Sequence, residues 1–231
     1  MVSNGDRLLI MIPAWNEAGN IAEVIGRLKK ELPDTDLLVI DDGSEDDTAA
    51  ICKGLGVQVA GHKVNLGLAE AVRTGMKYAI RHGYAYCMQF DADGQHDEKA
   101  VSKMVRAAKE EKAGIVIGSR FKNTKRGLGL KGVGSRIISA CIRISGGVII
   151  KDPTSGMRLF DRSVMEKYVS STHFSPEPDM LAYFAHNKVK ITEVQVEMKE
   201  RISGKSYLDM TGSLGYMFRM CTSILVIQWL R

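Results

Sequence analysis

The sequence predicts an α/β fold, a mainly parallel β-sheet flanked by helices on both faces. Three observations predict it. Short apolar runs alternate with amphipathic segments through the first half of the chain, and such strand–helix units assemble into parallel sheets covered on both sides. Four polar turns, rich in Asn, Asp, Gly or Ser, follow successive apolar runs. Finally, 231 residues with 45% hydrophobic and 26% charged side chains suit one domain with a large core. No linker and no internal repeat divides the chain.

Each element has its own signal. Leu8 to Ile12 reads as a strand, and Ala18 to Glu31 carries Ile21, Val24, Ile25 and Leu28 at helical spacing. Leu37 to Ile40 is the next strand. Glu45 to Leu55 is a helix after Ser44, an N-cap residue followed by acids. Val57 to Ala60, a helix over Leu68 to Arg81, a strand over Tyr84 to Phe90, a helix over Asp97 to Glu111 and a strand over Ile115 to Gly118 complete the alternation. After Arg120 the rhythm changes. Lys122 to Gly134 reads as a polar loop, Val133 to Ser145, Ser163 to Val169 and Glu177 to His186 as helices, and Ser155 to Phe160, Lys190 to Val194 and Val196 to Lys199 as short strands. Arg201 to Ser206 is a second loop before a final helix.

Charge and cysteine content narrow the classes. The net charge is +5, and Lys112 to Lys151 holds nine Lys or Arg with no Asp or Glu. That stretch is either a solvated basic face or a surface that meets phosphates, of a substrate or of anionic lipid. No nucleic-acid-binding motif accompanies it, so a nucleic acid partner is not expected. Cys52, Cys87, Cys141 and Cys221 form no CxxC, which reads as reduced thiols in a cytoplasmic protein without a zinc site. Met1 to Asp6 is polar and shows no signal core. No stretch reaches the roughly 20 apolar residues of a membrane span. Ile137 to Ile150, interrupted by Arg143, and Leu208 to Leu230, carrying Asp209, Arg219 and Gln228, are either buried or interfacial helices.

The sharpest chemical signal is Phe90-Asp91-Ala92-Asp93-Gly94-Gln95-His96. Alternation along a strand sends Asp91 and Asp93 to one face. Two neighbouring carboxylates repel unless a cation sits between them and something anionic, such as a nucleotide diphosphate. Ligands of parallel α/β sheets bind outside the carboxyl ends of the strands, where the other polar turns also fall. These are Pro13-Ala14-Trp15-Asn16-Glu17, Asp41-Asp42-Gly43-Ser44 and Asn65-Leu66-Gly67. Taken singly, each is equally a cap or turn. Gly127-Leu128-Gly129-Leu130-Lys131-Gly132 spells a dinucleotide fingerprint but follows a polar loop rather than a strand, so it carries no such site. The histidines are isolated, and His96 reads as a turn residue.

Together the motifs Ile-Pro-Ala-Trp-Asn-Glu, Val39-Ile40-Asp41-Asp42-Gly43-Ser44, Asn65-Leu66-Gly67 with Ala71 and Gly75, and Asp91-Ala92-Asp93 resemble the family 2 inverting glycosyltransferases of the GT-A fold, over at least residues 7–120. The second half is similar to the dolichyl- and polyprenyl-phosphate sugar synthase branch. The residues are Asp93-Gly94-Gln95-His96, Gly118-Ser119-Arg120-Phe121, Ser135-Arg136-Ile137-Ile138-Ser139, Asp152-Pro153-Thr154-Ser155-Gly156-Met157-Arg158 and Arg201-Ile202-Ser203-Gly204-Lys205-Ser206. Met157 stands where that branch has Phe, and the loop from Asn123 to Gly134 departs from it.

The resemblance implies one GT-A domain over residues 1–231, with a nucleotide-sugar half at 7–120 and an acceptor half at 121–231. It implies that Pro13, Ala14, Asn16, Glu17, Asn65, Gly67 and Ala92 line the nucleotide pocket, with Asp42 at the base. Asp91, Asp93 and Gln95 would form the metal set for Mg2+ or Mn2+, and Arg73 would neutralise either phosphate or Asp42. Arg120, Arg136 and Ser139 would hold an acceptor phosphate, and Asp93, Arg120 and Asp179 would be the catalytic set. Arg120, Arg136 and Arg158 suit phosphate chemically, because guanidinium binds it through two charge-assisted prongs. A phosphate acceptor is ionised and needs no base, whereas a sugar hydroxyl does. Asp179, opening a helix, is either that base or a favourable charge at the helix N-terminus.

The implied activity moves a sugar from a UDP- or GDP-linked donor to a polyprenyl phosphate. The enzyme would sit peripherally on the cytoplasmic face of a membrane, held by its basic loop, an apolar helix or a small membrane partner. A same-fold transferase acting on a saccharide hydroxyl, a non-catalytic sugar-nucleotide-binding subunit and a nucleotidyltransferase are the rivals. The last lacks the Gly-rich loop expected after its first strand.

Overall fold

A computed structural model describes residues 6–123, 130–171, 174–198 and 210–226. One seven-stranded sheet runs in the order β3-β2-β1-β4-β6-β5-β7. β1 (Leu8–Ala14), β2 (Asp36–Asp41), β3 (Gln58–Gly61), β4 (Tyr86–Gln89), β5 (Ile115–Ser119) and β7 (Ile191–Gln195) share one direction; only β6 (Arg158–Asp161) opposes them. The mainly parallel sheet is therefore as expected. β1 lies between β2 and β4, so the chain leaves it first to one side and then to the other. That reversal opens a crevice at the carboxyl edge. β4 pairs with β1 only as far as Met11↔Gln89, whereas β2 follows β1 to Ala14↔Asp41, so the crevice lies between the end of β1 and the turn after β4.

Two apolar layers close the sheet. One packs Ile10, Ile12, Val39 and Met88 under α1 (Ile21–Glu31) and α4 (Ala100–Glu111). The other packs Met11, Ile40, Cys87 and Phe160 under α3 (Leu68–Arg81), α5 (Leu130–Gly146), α6 (Arg162–Ser170), α7 (Pro178–His186) and α8 (Met210–Leu225). Successive strand residues alternate between the layers, as pleating requires. At Gly75, α3 presses so close to β1 that a Cβ would meet Met11 Sδ at 2.6 Å and Met11 Cβ at 3.0 Å, so a side chain there would push the core of β1 aside.

Several boundaries differ from the sequence reading, each for a local reason. α2 (Thr48–Gly54) starts later than Glu45, with Asp47 rather than Ser44 at its N-cap, because Ser44 Oγ accepts from the Asn16 N–H at 2.9 Å. α4 starts at Ala100 rather than Asp97, because Arg27 of α1 donates to the Gly94 and His96 carbonyls and to Glu98. β6 begins at Arg158 rather than Ser155. Val196 donates to the Ser119 carbonyl at 3.0 Å, but residues 196–198 form no strand. The polar loop around 124–129, Lys199 and Arg201 to Ser206 lie outside the described residues.

Candidate active site

The loops after β1 and β2 zip together. Ala14 O accepts from Asp42 N–H at 2.8 Å. Asn16 takes the left-handed φ of +55°, which Asn tolerates better than most residues. Its Oδ1 accepts from Glu45 N–H at 2.9 Å. The Glu17 N–H donates to Thr48 Oγ1 at 2.8 Å, and the Ala18 N–H to Asp46 Oδ2 at 3.1 Å. The structure thus brings Pro13, Ala14, Asn16 and Glu17 to one wall of the crevice. The wall is braced by Asp46 and Thr48, which sequence reading passed over as ordinary helix-start residues.

Asp42 is buried and tied to the next loop. Its Oδ1 lies 2.7 Å from His62 Nδ1 and accepts from Leu66 N–H at 2.9 Å, and Oδ2 accepts from Gly67 N–H at 2.7 Å. Burial opposes its ionisation, but the His62 hydrogen bond and the two backbone donors outweigh it and hold the pKa below the usual value. Gly43, at φ +73°, leaves no room for a Cβ against Val64 and Asn65. Asp42 therefore sets where Asn65 and Gly67 sit. Arg73 is not its partner, nor a phosphate ligand. It is buried, and its guanidinium donates to Glu70 and to the Tyr168, Ser171 and Phe174 carbonyls. That network fastens α3 to the end of α6.

The Asp-x-Asp segment is a turn beyond β4, not a continuation of the strand. β4 ends at Gln89, and Gly94 takes φ +77°. Strand alternation therefore does not align Asp91 with Asp93; side-chain bonds position them. Asp91 Oδ1 accepts from Gln89 Nε2 at 3.1 Å, and Oδ2 lies 3.3 Å from His96 Nε2. His96 is buried edge-on against Phe90, and its Nδ1 accepts from the Asp91 N–H at 3.1 Å, which leaves the ring proton on Nε2, facing the carboxylate. A Cβ on Gly156 would collide with this carboxylate, meeting Cγ at 3.1 Å, so the missing side chain makes its cradle. Ala92 is buried, Asp93 Oδ1 accepts from Gln95 N–H at 3.0 Å, and both Asp93 and Gln95 are partly exposed.

The donor set fits a hard divalent cation. Among the described residues no three His, Cys, Asp or Glu side chains gather into a metal cage. Two carboxylates at a rim suit Mg2+ or Mn2+, which complete their shell with water and substrate phosphate.

The residues expected to meet an acceptor lie around β5, β6 and α5. Arg120 follows β5 and forms a two-pronged pair with Asp152, Nε–Oδ2 and Nη2–Oδ1 both 2.7 Å. Asp152 is wholly buried and also accepts from the Arg120 N–H. The hydrogen bond to Asp152 raises the Arg120 pKa further. Arg120 is thus aimed and held at this edge. Arg136 is exposed on α5; Ser139 Oγ donates to the Ser135 carbonyl at 2.9 Å. Arg158 departs from expectation. It is an interior residue, not part of a basic surface, and donates to the Pro153 and Pro176 carbonyls at 2.8 and 2.9 Å. Asp179 lies in the first turn of α7, where Oδ1 accepts from Met180 N–H and Oδ2 from Ser223 Oγ at 2.8 Å.

Residues 9–169 match the family described as glycosyl transferase family 2. Polyprenol monophosphomannose synthase of Mycolicibacterium smegmatis is 30% identical, with 93% of this chain and 85% of that one covered. UDP-N-acetylglucosamine–dolichyl-phosphate N-acetylglucosaminyltransferase of Methanococcus voltae is also 30% identical, over 83% of this chain and 86% of that one. Among solved structures, glucosyl-3-phosphoglycerate synthase from Mycobacterium tuberculosis superposes with a TM-score of 0.71 at 20% identity, covering 97% of this chain and 80% of that one.

Proposed function

The chain belongs to glycosyl transferase family 2, and from that premise we propose that it moves a sugar from a nucleotide-diphosphate donor to a polyprenyl phosphate, inverting the anomeric centre. The observation that carries this reading is the meeting of Asp91, Asp93 and the Arg120–Asp152 pair at one carboxyl edge of the sheet. The nucleotide lies in the crevice walled by Pro13, Ala14, Asn16 and Glu17, across from the Asn65–Gly67 loop that Asp42 holds. Its base is uridine or guanosine; the Methanococcus voltae relative, named for a UDP-sugar, favours uridine.

Asp91 and Asp93, with Gln95 beside them, would hold Mg2+ or Mn2+ against the donor diphosphate. When bound, such an ion stabilises charge developing on the leaving group. Arg120 orients the acceptor phosphate, with Arg136 and Ser139 supporting it from α5. Attack on the face opposite the leaving group follows, and an ionised phosphate oxygen needs no deprotonation.

Asp179 supports the phosphate reading over the hydroxyl reading. Both of its oxygens already accept hydrogen bonds, from Met180 and Ser223, which is how a carboxylate serves a helix start. The test incubates purified protein with UDP- and GDP-sugars, Mn2+ or Mg2+, and short polyprenyl phosphates. An acid-labile glycolipid product is expected. Asp179→Asn is expected to keep transfer within about threefold, whereas loss of a general base costs on the order of 10²–10⁴ in rate. Turnover only with oligosaccharides, abolished in that variant, would move the assignment to polysaccharide assembly.

Membrane attachment follows from the same acceptor. Among the described residues no helix is long and apolar enough to cross a bilayer. α5 exposes Val133, Ile137 and Ile144 alongside Arg136 and Arg143, and carries no acid. A helix of that composition lies in a bilayer interface with anionic headgroups around its arginines.

A further inference from the structure

Among the described residues, no carboxylate hydrogen-bonds to the Arg158 guanidinium. Arg158 lies on β6 directly across from Gln89 of β4. Its side chain is fully buried, and its only described acceptors are the Pro153 and Pro176 carbonyls. Its Nε has no hydrogen-bond partner among the described residues, and neither has Gln89 Oε1. A buried donor and a buried acceptor on facing residues thus stand unjoined, two residues from Asp91.

The carboxylates that could neutralise Arg158 are engaged elsewhere. Asp152 is gripped in two-pronged fashion by Arg120. Asp91 is held by Gln89 and His96. Both remain close enough to favour the Arg158 charge, while burial works against it and, as the larger effect, lowers its pKa. A buried cation without a paired anion is costly. A charge buried at that cost points to an anion that the site receives.

The charges of the edge agree. Arg120 and Arg158 nearly balance Asp91, Asp93 and Asp152. A divalent cation on the aspartates would leave the edge positive, and a phosphate group would restore neutrality. We propose that Arg158 is a positioning residue whose un-neutralised charge, set behind Asp91, draws and holds phosphate at this edge, while its two carbonyl bonds keep the 153 and 176 loops in place around it. The proposal rests on the nucleotide-diphosphate reading above and names a residue to which that reading gives no task.

The test compares Arg158→Met, which keeps length but not charge, with Arg158→Lys, which keeps charge but not the fork. Thermal unfolding of ligand-free protein and calorimetric binding of UDP with Mn2+ are measured for both. Arg158→Met is expected to melt within about 5 °C of wild type, since loss of the buried charge offsets loss of two hydrogen bonds. Its UDP affinity is expected to fall at least tenfold, and Arg158→Lys to restore it to within about threefold. Equal affinity in all three proteins overturns the proposal. So does a fall of more than 10 °C in both variants, which would make Arg158 a structural brace. Wild-type protein that binds no UDP would sink the donor reading instead; the melting comparison then still decides whether this charge is held against stability.

Discussion

At the scale of single residues, Asp42 shows how a strand-edge acid is put to use. Its carboxylate gathers His62, Leu66 and Gly67, and through them the loop across the crevice. Asp42→Asn replaces an acceptor by an amide that must face one of those donors. A cost of about 1–3 kcal/mol at pH 7 is expected, because a buried N–H loses its partner. The folded pKa of Asp42 lies below the ordinary 3.8, so its contribution is complete above that value. It is lost as the pH falls through the folded pKa. Denaturation at pH 7 and pH 3 should therefore show a gap between wild type and variant that narrows in acid; a gap of constant size would refute this role. The polar turn after the second apolar run puts Asp42 at the carboxyl edge, and only the family resemblance implies a role for it beside a base. The sequence could not separate surface arginines from buried ones. Arg73 is taken inside by carbonyls of residues 168–174, and Arg158 by those of Pro153 and Pro176. Those contacts depend on tertiary placement, which no local spacing encodes.

At the scale of elements, legibility follows how locally a boundary is decided. α3 spans Leu68–Arg81, as its apolar spacing predicts, because a glycine before it and a break after it are local signals. α2 and α4 start late because partners distant in sequence, Asn16 and Arg27, claim the groups that would have begun them. α7 and α8 belong to the second kind. Ser223 donates to Asp179, and Arg219 pairs with Glu177 at 2.9 Å, so α8 holds the start of α7 in place. Ser223→Ala should cost about 1–2 kcal/mol, since it removes a hydrogen bond to a charged group. Arg219→Ala should cost less than about 1 kcal/mol, because that pair is exposed. Chemical denaturation of both variants checks the order, and a larger loss in Arg219→Ala would show that the exposed pair, not the buried bond, fixes α7.

At the scale of the whole molecule, the site and the apolar surface meet on the same helices. α5 carries Arg136 and Ser139, read as acceptor ligands, and also Ile137 and Ile144 facing outward, the latter 74% exposed. α8 packs against α5 closely enough that a Cβ on Gly134 would strike Met217, and it turns Phe218 outward, 77% exposed. Burying side chains this exposed against an apolar surface is favourable. The lipid-linked acceptor proposed above would supply such cover, because its phosphate would sit at the headgroup level and its chain in the bilayer beneath. An enzyme whose phosphate ligands and exposed isoleucines share a helix can meet both parts at once. Ile144→Glu and Phe218→Glu lie on the surface and should leave the melting temperature unchanged. Each should weaken binding to vesicles containing anionic phosphatidylglycerol by about tenfold, the equivalent of part of one large apolar side chain leaving the interface. Wild-type binding should also weaken as salt is raised, because the arginines of α5 act through screened charge. Transfer to a short, water-soluble polyprenyl phosphate should persist in both variants. Vesicle binding that ignores lipid charge, salt and both substitutions would place the membrane contact on another part of the molecule.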